Sequence, residues 1–87
     1  MKKVTFFDYR PSEASVLFCH ILEYRRKVRK ACEKEGIDFE YVLLRTEKDA
    51  VAVAKEYGII GRKPLFPIVT YVEENGKPIV VEGIRDI

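Results

Sequence analysis

The rhythm of apolar and polar positions changes repeatedly along this chain, and each change marks an element. Lys3 to Tyr9 (KVTFFDY) is rich in β-branched and aromatic residues and stops at Arg10-Pro11-Ser12, which predicts a short first strand followed by a turn. Leu17, Ile21, Tyr24, Val28 and Ala31 or Cys32 then recur at steps of three and four, one face of a long helix that ends at Gly36. From Ile37, the apolar residues Phe39, Tyr41 and Leu43 alternate with Asp38 and Glu40. Val42 and Leu44 then break the pattern, as in a strand whose second half is covered on both faces. Thr46 and Asp49 make a capping-box variant for a second, shorter helix through Tyr57, closed by Gly58. After the loop Gly58 to Phe66, Pro67 opens a strand of Ile68 to Val72, and Asn75-Gly76 supplies a positive-φ turn into Pro78 to Glu82. A helix crosses between the first two strands, so they are parallel, whereas a tight turn makes the last two antiparallel. The order β-α-β-α-β-β therefore predicts an α/β protein with a mixed four-stranded sheet, without internal repeats or low-complexity tracts.

Composition narrows the field of functions. The 87 residues carry 16 Lys or Arg and 14 Asp or Glu, a net charge of only +2, so strong steering towards nucleic acid is not expected. Apolar types make up 47%, enough for one compact core, and residues 1–87 read as one domain. No apolar run approaches the roughly 20 residues that span a bilayer, and the opening MKKVTFFDYRPSEAS lacks the long apolar stretch of a secretory signal. Two cysteines, Cys19 and Cys32, and a single His20 are too few for a disulfide framework or a metal site. A reducing, cytoplasmic setting without a metal is the expectation.

The element order, with a proline at the mouth of the third strand, resembles the thioredoxin fold, and its details are similar to the glutaredoxin branch over almost the whole chain. Arg10-Pro11-Ser12-Glu13-Ala14-Ser15 stands where glutaredoxins have a basic residue, a proline and the C-x-x-C redox motif. The spacing is kept, but both cysteines are serine. Leu65-Phe66-Pro67 matches the cis-proline segment, with a bulky Phe66 before the proline, and Glu82-Gly83-Ile84-Arg85-Asp86 matches the Gly-Gly turn and acidic pair. The resemblance implies a thioredoxin-like fold with sheet order 2-1-3-4, a cis bond before Pro67, and a terminal helix that is truncated here. The N-terminal domain of glutathione transferases is also similar, through FFDYRPSEAS and the Glu-Gly at the last strand's end. Those enzymes need a second, helical domain that these residues do not supply.

Carried over position by position, the resemblance has Ser12, Ser15, Phe66 and Pro67 lining a site. Arg62 and Lys63 stand where glutaredoxins place cations for the glycine carboxylate of glutathione, Arg10 contributes similarly, and Gly83 and Asp86 fall in the final turn. A helix-start cysteine works because the first turn stabilises its thiolate. A serine hydroxyl stays protonated at neutral pH unless a base is adjacent, and the motif shows none. The function implied is a degenerate S-x-x-S module that binds a thiol, glutathione or a peptide without dithiol turnover. No cofactor is required, and glutathione is the cofactor-like candidate ligand. Read without the resemblance, Ser12 is a helix N-cap, Ser15 a first-turn residue, Pro67 an edge-strand proline, and Arg10, Arg62 and Lys63 are solvated loop charges.

Two other classes stay open. One is a glutathione-dependent thiol-disulfide oxidoreductase, using Cys19 as a displaced nucleophile or native cysteines that the serines at 12 and 15 have replaced. Cys19 lies about two turns beyond Ser12, on the helix side of Glu23, Arg26 and Lys30, exposed and past the reach of the helix dipole. Cys32 belongs to the apolar stripe, and about 20 Å of helix axis separates it from Cys19, which excludes a disulfide. His20 reads as a surface residue. The other class is a structural subunit. Arg25 to Lys30 spread their charges round a solvated helix face, whereas Phe18 and Leu22 form a second apolar flank that a final helix would cover. With that helix missing, the flank predicts a symmetric homodimer with the long helix near the two-fold axis.

Overall fold

A first strand rich in β-branched and aromatic residues and a capped helix after the second strand build an α/β layout in the computed structural model, which describes residues 2–11, 18–72 and 76–85 and leaves out the side chain of Phe18. The elements are β1 (Lys3–Tyr9), α1 (Phe18–Glu35), β2 (Asp38–Leu44), α2 (Glu47–Glu56), β3 (Ile68–Val72) and β4 (Pro78–Glu82). They form one mixed sheet of order β2-β1-β3-β4, with β1 parallel to β2 and the other neighbours antiparallel. The expected order of strands and helices and the sheet order are therefore present. Ser12, Ser15 and Asp86, together with the start of the long helix at Leu17 and the Asn75 turn position, lie outside the described residues. No helix among those described is long and apolar enough to cross a membrane.

Alternation in β1 assigns the two faces of the sheet. Val4 and Phe6 point to the side where Tyr24, Val28 and Cys32 of α1 pack, joined by Phe39 and Tyr41 from β2 and Val69 and Tyr71 from β3. Phe7 points the other way, into a cluster with Leu44, Ala54, Ile59 and Ile68. Helices α1 and α2 thus cover opposite faces, and β1 is buried between them. In the helical stripe, Cys32 takes the buried place and Ala31 is exposed.

Local chemistry ends the helices where the sequence signals it. The Thr46 hydroxyl accepts the Asp49 amide hydrogen bond at 3.2 Å, the expected N-cap. At the other end, Gly58 takes a φ of +80° and the Ile59 amide turns back to the Ala54 carbonyl at 2.9 Å. Gly36 closes α1 in the same manner, with φ +68° and an Ile37 amide bonded to the Cys32 carbonyl at 2.8 Å. Burial pushes the Cys32 thiol above its ordinary pKa.

The expected apolar flank of α1 is corrected at Leu22. Arg25, about 60° round the helix from Leu22, sits 4.3 Å above the centre of the Tyr41 ring. Arg25 and Arg29 also share a groove with Phe39 and Tyr41. Leu22 itself is half-buried and borders the outward groove with Cys19. Its flank therefore turns towards β2 and solvent. The thinly covered half of the sheet lies on the other side, beyond Tyr24, where Ile79 of β4 is 52% exposed beside a half-buried Tyr71.

Candidate functional site

Strand β1 ends at Tyr9, and the antiparallel register of β1 with β3 carries the chain entering β3 to the same end of the sheet. There the Tyr9 and Phe66 rings meet edge to face with centroids 5.5 Å apart. Pro67 is buried, and the Phe66–Pro67 peptide bond is cis, as the resemblance implies. Because α2 starts where β2 ends, its first turn reaches the same corner. Tyr9, Ala50, Val51, Pro64 and Phe66 wall a recess of about 280 Å³, with the exposed side chains of Glu47 and Lys63 at its margin. Of the residues expected to contact ligand, Lys63 and Phe66 are brought together here, with Pro67 next in the chain.

Three others have internal work. Arg62 grips Glu82 with both terminal guanidinium nitrogens, Nη1 donating to Oε1 at 2.9 Å and Nη2 donating to Oε2. The same carboxylate accepts the Leu65 amide at 3.1 Å. Arg62 first, and then the Leu65 amide, hold the Glu82 carboxyl down to a pKa of about 2 against the attempt of burial to raise it. The Gly83 amide donates to the carbonyls of Leu65 at 3.1 Å and Pro67 at 2.9 Å, and its φ of +77° is one that favours glycine. Arg62 and Gly83, expected as ligand contacts, thus fasten the loop to the end of β4. Arg10, also expected to meet an anion, bonds the Asp8 carboxylate at 2.9 Å with its own side chain only 15% exposed.

Asp8 is the residue that the sequence reading passed over. It is 1% exposed, accepts hydrogen bonds from Arg10 and from the Tyr41 hydroxyl at 2.8 Å, and leaves Oδ1 without a partner among the described residues. Burial, then donation to Asp8, raises the Tyr41 pKa above its ordinary value. The signal was present: Val4, Phe6 and Asp8 share the inward phase of β1, so alternation alone places a carboxylate inside. Glu47, Ala50 and Val51 were missed too, although a helix that begins at the end of a parallel strand has to present its first turns there.

The remaining candidates lie elsewhere. Cys19 is exposed, as expected, and borders an outward groove of α1 with Glu23, Arg26 and Lys30, whereas the recess opens on the α2 side of the sheet. Cys19 and Cys32 are both free thiols. His20 is exposed. Among the described residues, no three His, Cys, Asp or Glu side chains are grouped to hold a metal ion. The recess has an apolar wall and two opposite charges, a chemistry suited to holding a ligand. Compared with protein-family models, with curated proteins and with solved structures, the chain matches none of them.

Proposed function

We propose that this chain is a thioredoxin-like, glutaredoxin-type domain that binds a thiol, glutathione or a peptide at the Tyr9–Phe66–Pro67 corner without oxidising it. The observation that carries the reading is the position of the recess. It lies beyond the carboxyl end of β1, where the chain leaves β1 for a helix on one face and leaves β2 for a helix on the other. In open α/β sheets, ligands gather at such a switch point, because strand ends and helix starts diverge there and leave a crevice. Sheet order 2-1-3-4 and a buried proline opening β3 also support the family resemblance. Fold alone does not supply an activity, so the non-oxidising part rests on Ser12 and Ser15, whose hydroxyls are poor nucleophiles without a base.

The test is a titration followed by amide resonances, with reduced glutathione and with short peptides as separate probes, alongside a glutathione-disulfide exchange assay. Saturable shifts centred on Tyr9, Lys63 and Phe66 with at least one probe class, and no turnover, are expected. Reversing the charge in Lys63→Glu should weaken an anionic probe about tenfold, as a lost charged contact of roughly 1.4 kcal/mol would. Turnover comparable with that of a dithiol glutaredoxin would sink the non-oxidising reading. Shifts with no probe at this corner would sink the site.

A further inference from the structure

Resting on that reading, we infer that the recess is a subsite for one bulky apolar side chain of an extended peptide, set between an acidic peptide residue on the Lys63 side and a basic one on the Glu47 side. Its size argues for a side chain. At about 280 Å³, it falls just under the range of roughly 300–1,000 Å³ typical of whole small-molecule sites. Its walls argue for an apolar one. Tyr9 and Phe66 present an edge-to-face aromatic corner, Ala50 and Val51 belong to one turn of α2, and Pro64 completes the lining from the loop. Such a lining rewards an occupant that removes apolar surface from water and offers little to a small polar thiol.

The margin argues for opposite charges on the two sides of the peptide's apolar residue. Glu47 and Lys63 carry opposite signs on two different elements, α2 and the loop before β3. A ligand that crosses the recess with an acid on one side of its apolar residue and a base on the other meets a complementary charge at each. A ligand with the same charge on both sides of its apolar residue meets a like charge at one of them. Val51, on the exposed side of α2, is 40% exposed, which leaves apolar surface at the site for an occupant to cover.

The experiment uses the full chain, immobilised, and pools of hexapeptides each fixed at one central residue. Free glutathione is a separate probe in solution. Pools with Phe, Tyr, Leu or Met at the centre should be retained at least tenfold over pools with Gly, Ala or Asp. The single peptide Glu-Phe-Lys should then be retained severalfold over Glu-Phe-Glu and Lys-Phe-Lys, and Glu47→Lys should shift that preference to Glu-Phe-Glu; no difference among the three overturns the charge assignment. Val51→Asp, a change at an exposed helix position, should abolish the apolar preference while circular dichroism stays unchanged. Equal retention of all pools overturns the inference, and so does binding of glutathione alone, which leaves the broader site reading standing. Binding of no probe overturns both. Sedimentation showing that the wild-type chain self-associates and the Val51→Asp chain does not would make a second copy the occupant and would also overturn the peptide assignment.

Discussion

The two faces of the sheet are covered in different ways. Helix α1 has 18 residues and α2 only 10, yet the side of the shorter helix is the better closed. On the α2 side, the loop that follows the helix adds Ile59 to the cover, and Ile68 and Thr70 of β3 are almost wholly buried. On the α1 side, the packing centres on Phe6, Tyr24 and the aromatic residues of β2, and it thins out across β3 until Ile79 stands half in water. Helix length therefore does not determine coverage. What matters is whether the connection after a helix continues across the sheet. Here it does so only after α2, because the chain leaving α1 turns at Gly36 directly into β2, whereas the chain leaving α2 travels the full loop from Gly58 to the mouth of β3.

Breaking each face in turn tests this comparison. The largest effect is expected at the two centres. Phe6→Ala removes a ring with no exposure that touches Tyr24, Phe39 and Tyr41, and should cost about 3–5 kcal/mol. Ile68→Ala, equally buried on the α2 side, should cost about 2–5 kcal/mol. Urea unfolding measures both. A loss below about 1 kcal/mol at Phe6 would mean that the α1 side collapses around the cavity, and that thin cover already leaves it soft.

A smaller effect is expected at the clamp that holds the covering loop. The Glu82 carboxyl titrates at about 2 when folded, against an ordinary value of 4.5. A depressed carboxyl stabilises the fold above its ordinary value and loses that contribution as pH falls from about 4.5 towards 2. The exposure of Arg62 keeps the gain modest. Glu82→Gln should therefore lower the urea midpoint at pH 6 and narrow its difference from wild type at pH 3. A constant difference across that interval would mean that the Glu82 charge contributes nothing and that the substitution acts through the packing of the clamp. The smallest effect belongs to the open shelf. Ile79→Ser should change stability by no more than about 0.5 kcal/mol, and a larger loss would reveal that the α1-side half of β4 is better covered than its exposure indicates.

Some of this organisation was legible because it is local. The β-branched and aromatic run of β1, the three-to-four period of α1, the Thr46 cap and the glycines at 36 and 58 each act within a few residues, so their signals lie side by side in the chain. Proline at 67 marked the mouth of β3 for the same reason. The candidate cations were less legible. Lys63 and Arg62 are neighbours in sequence with the same charge, yet one borders the recess and the other is tied to Glu82, 20 residues on. Nothing local distinguishes them, since the difference comes from which strand end each one meets.

By itself, then, the sequence determined the elements, their order, the parallel and antiparallel pairing that the connections impose, and which residues of α1 face inward. Period and capping are properties of a single turn or strand, set by the same chain that reports them. Only the tertiary structure decided that the Leu22 flank of α1 leans towards β2, that Asp8 meets Tyr41 across 33 residues of chain, and that α2 brings Ala50 and Val51 to the Tyr9–Phe66 corner. These are long-range encounters. They depend on how far each helix is rotated and displaced over the sheet, and that is fixed by the packing of the two cores together, which no short stretch of sequence encodes.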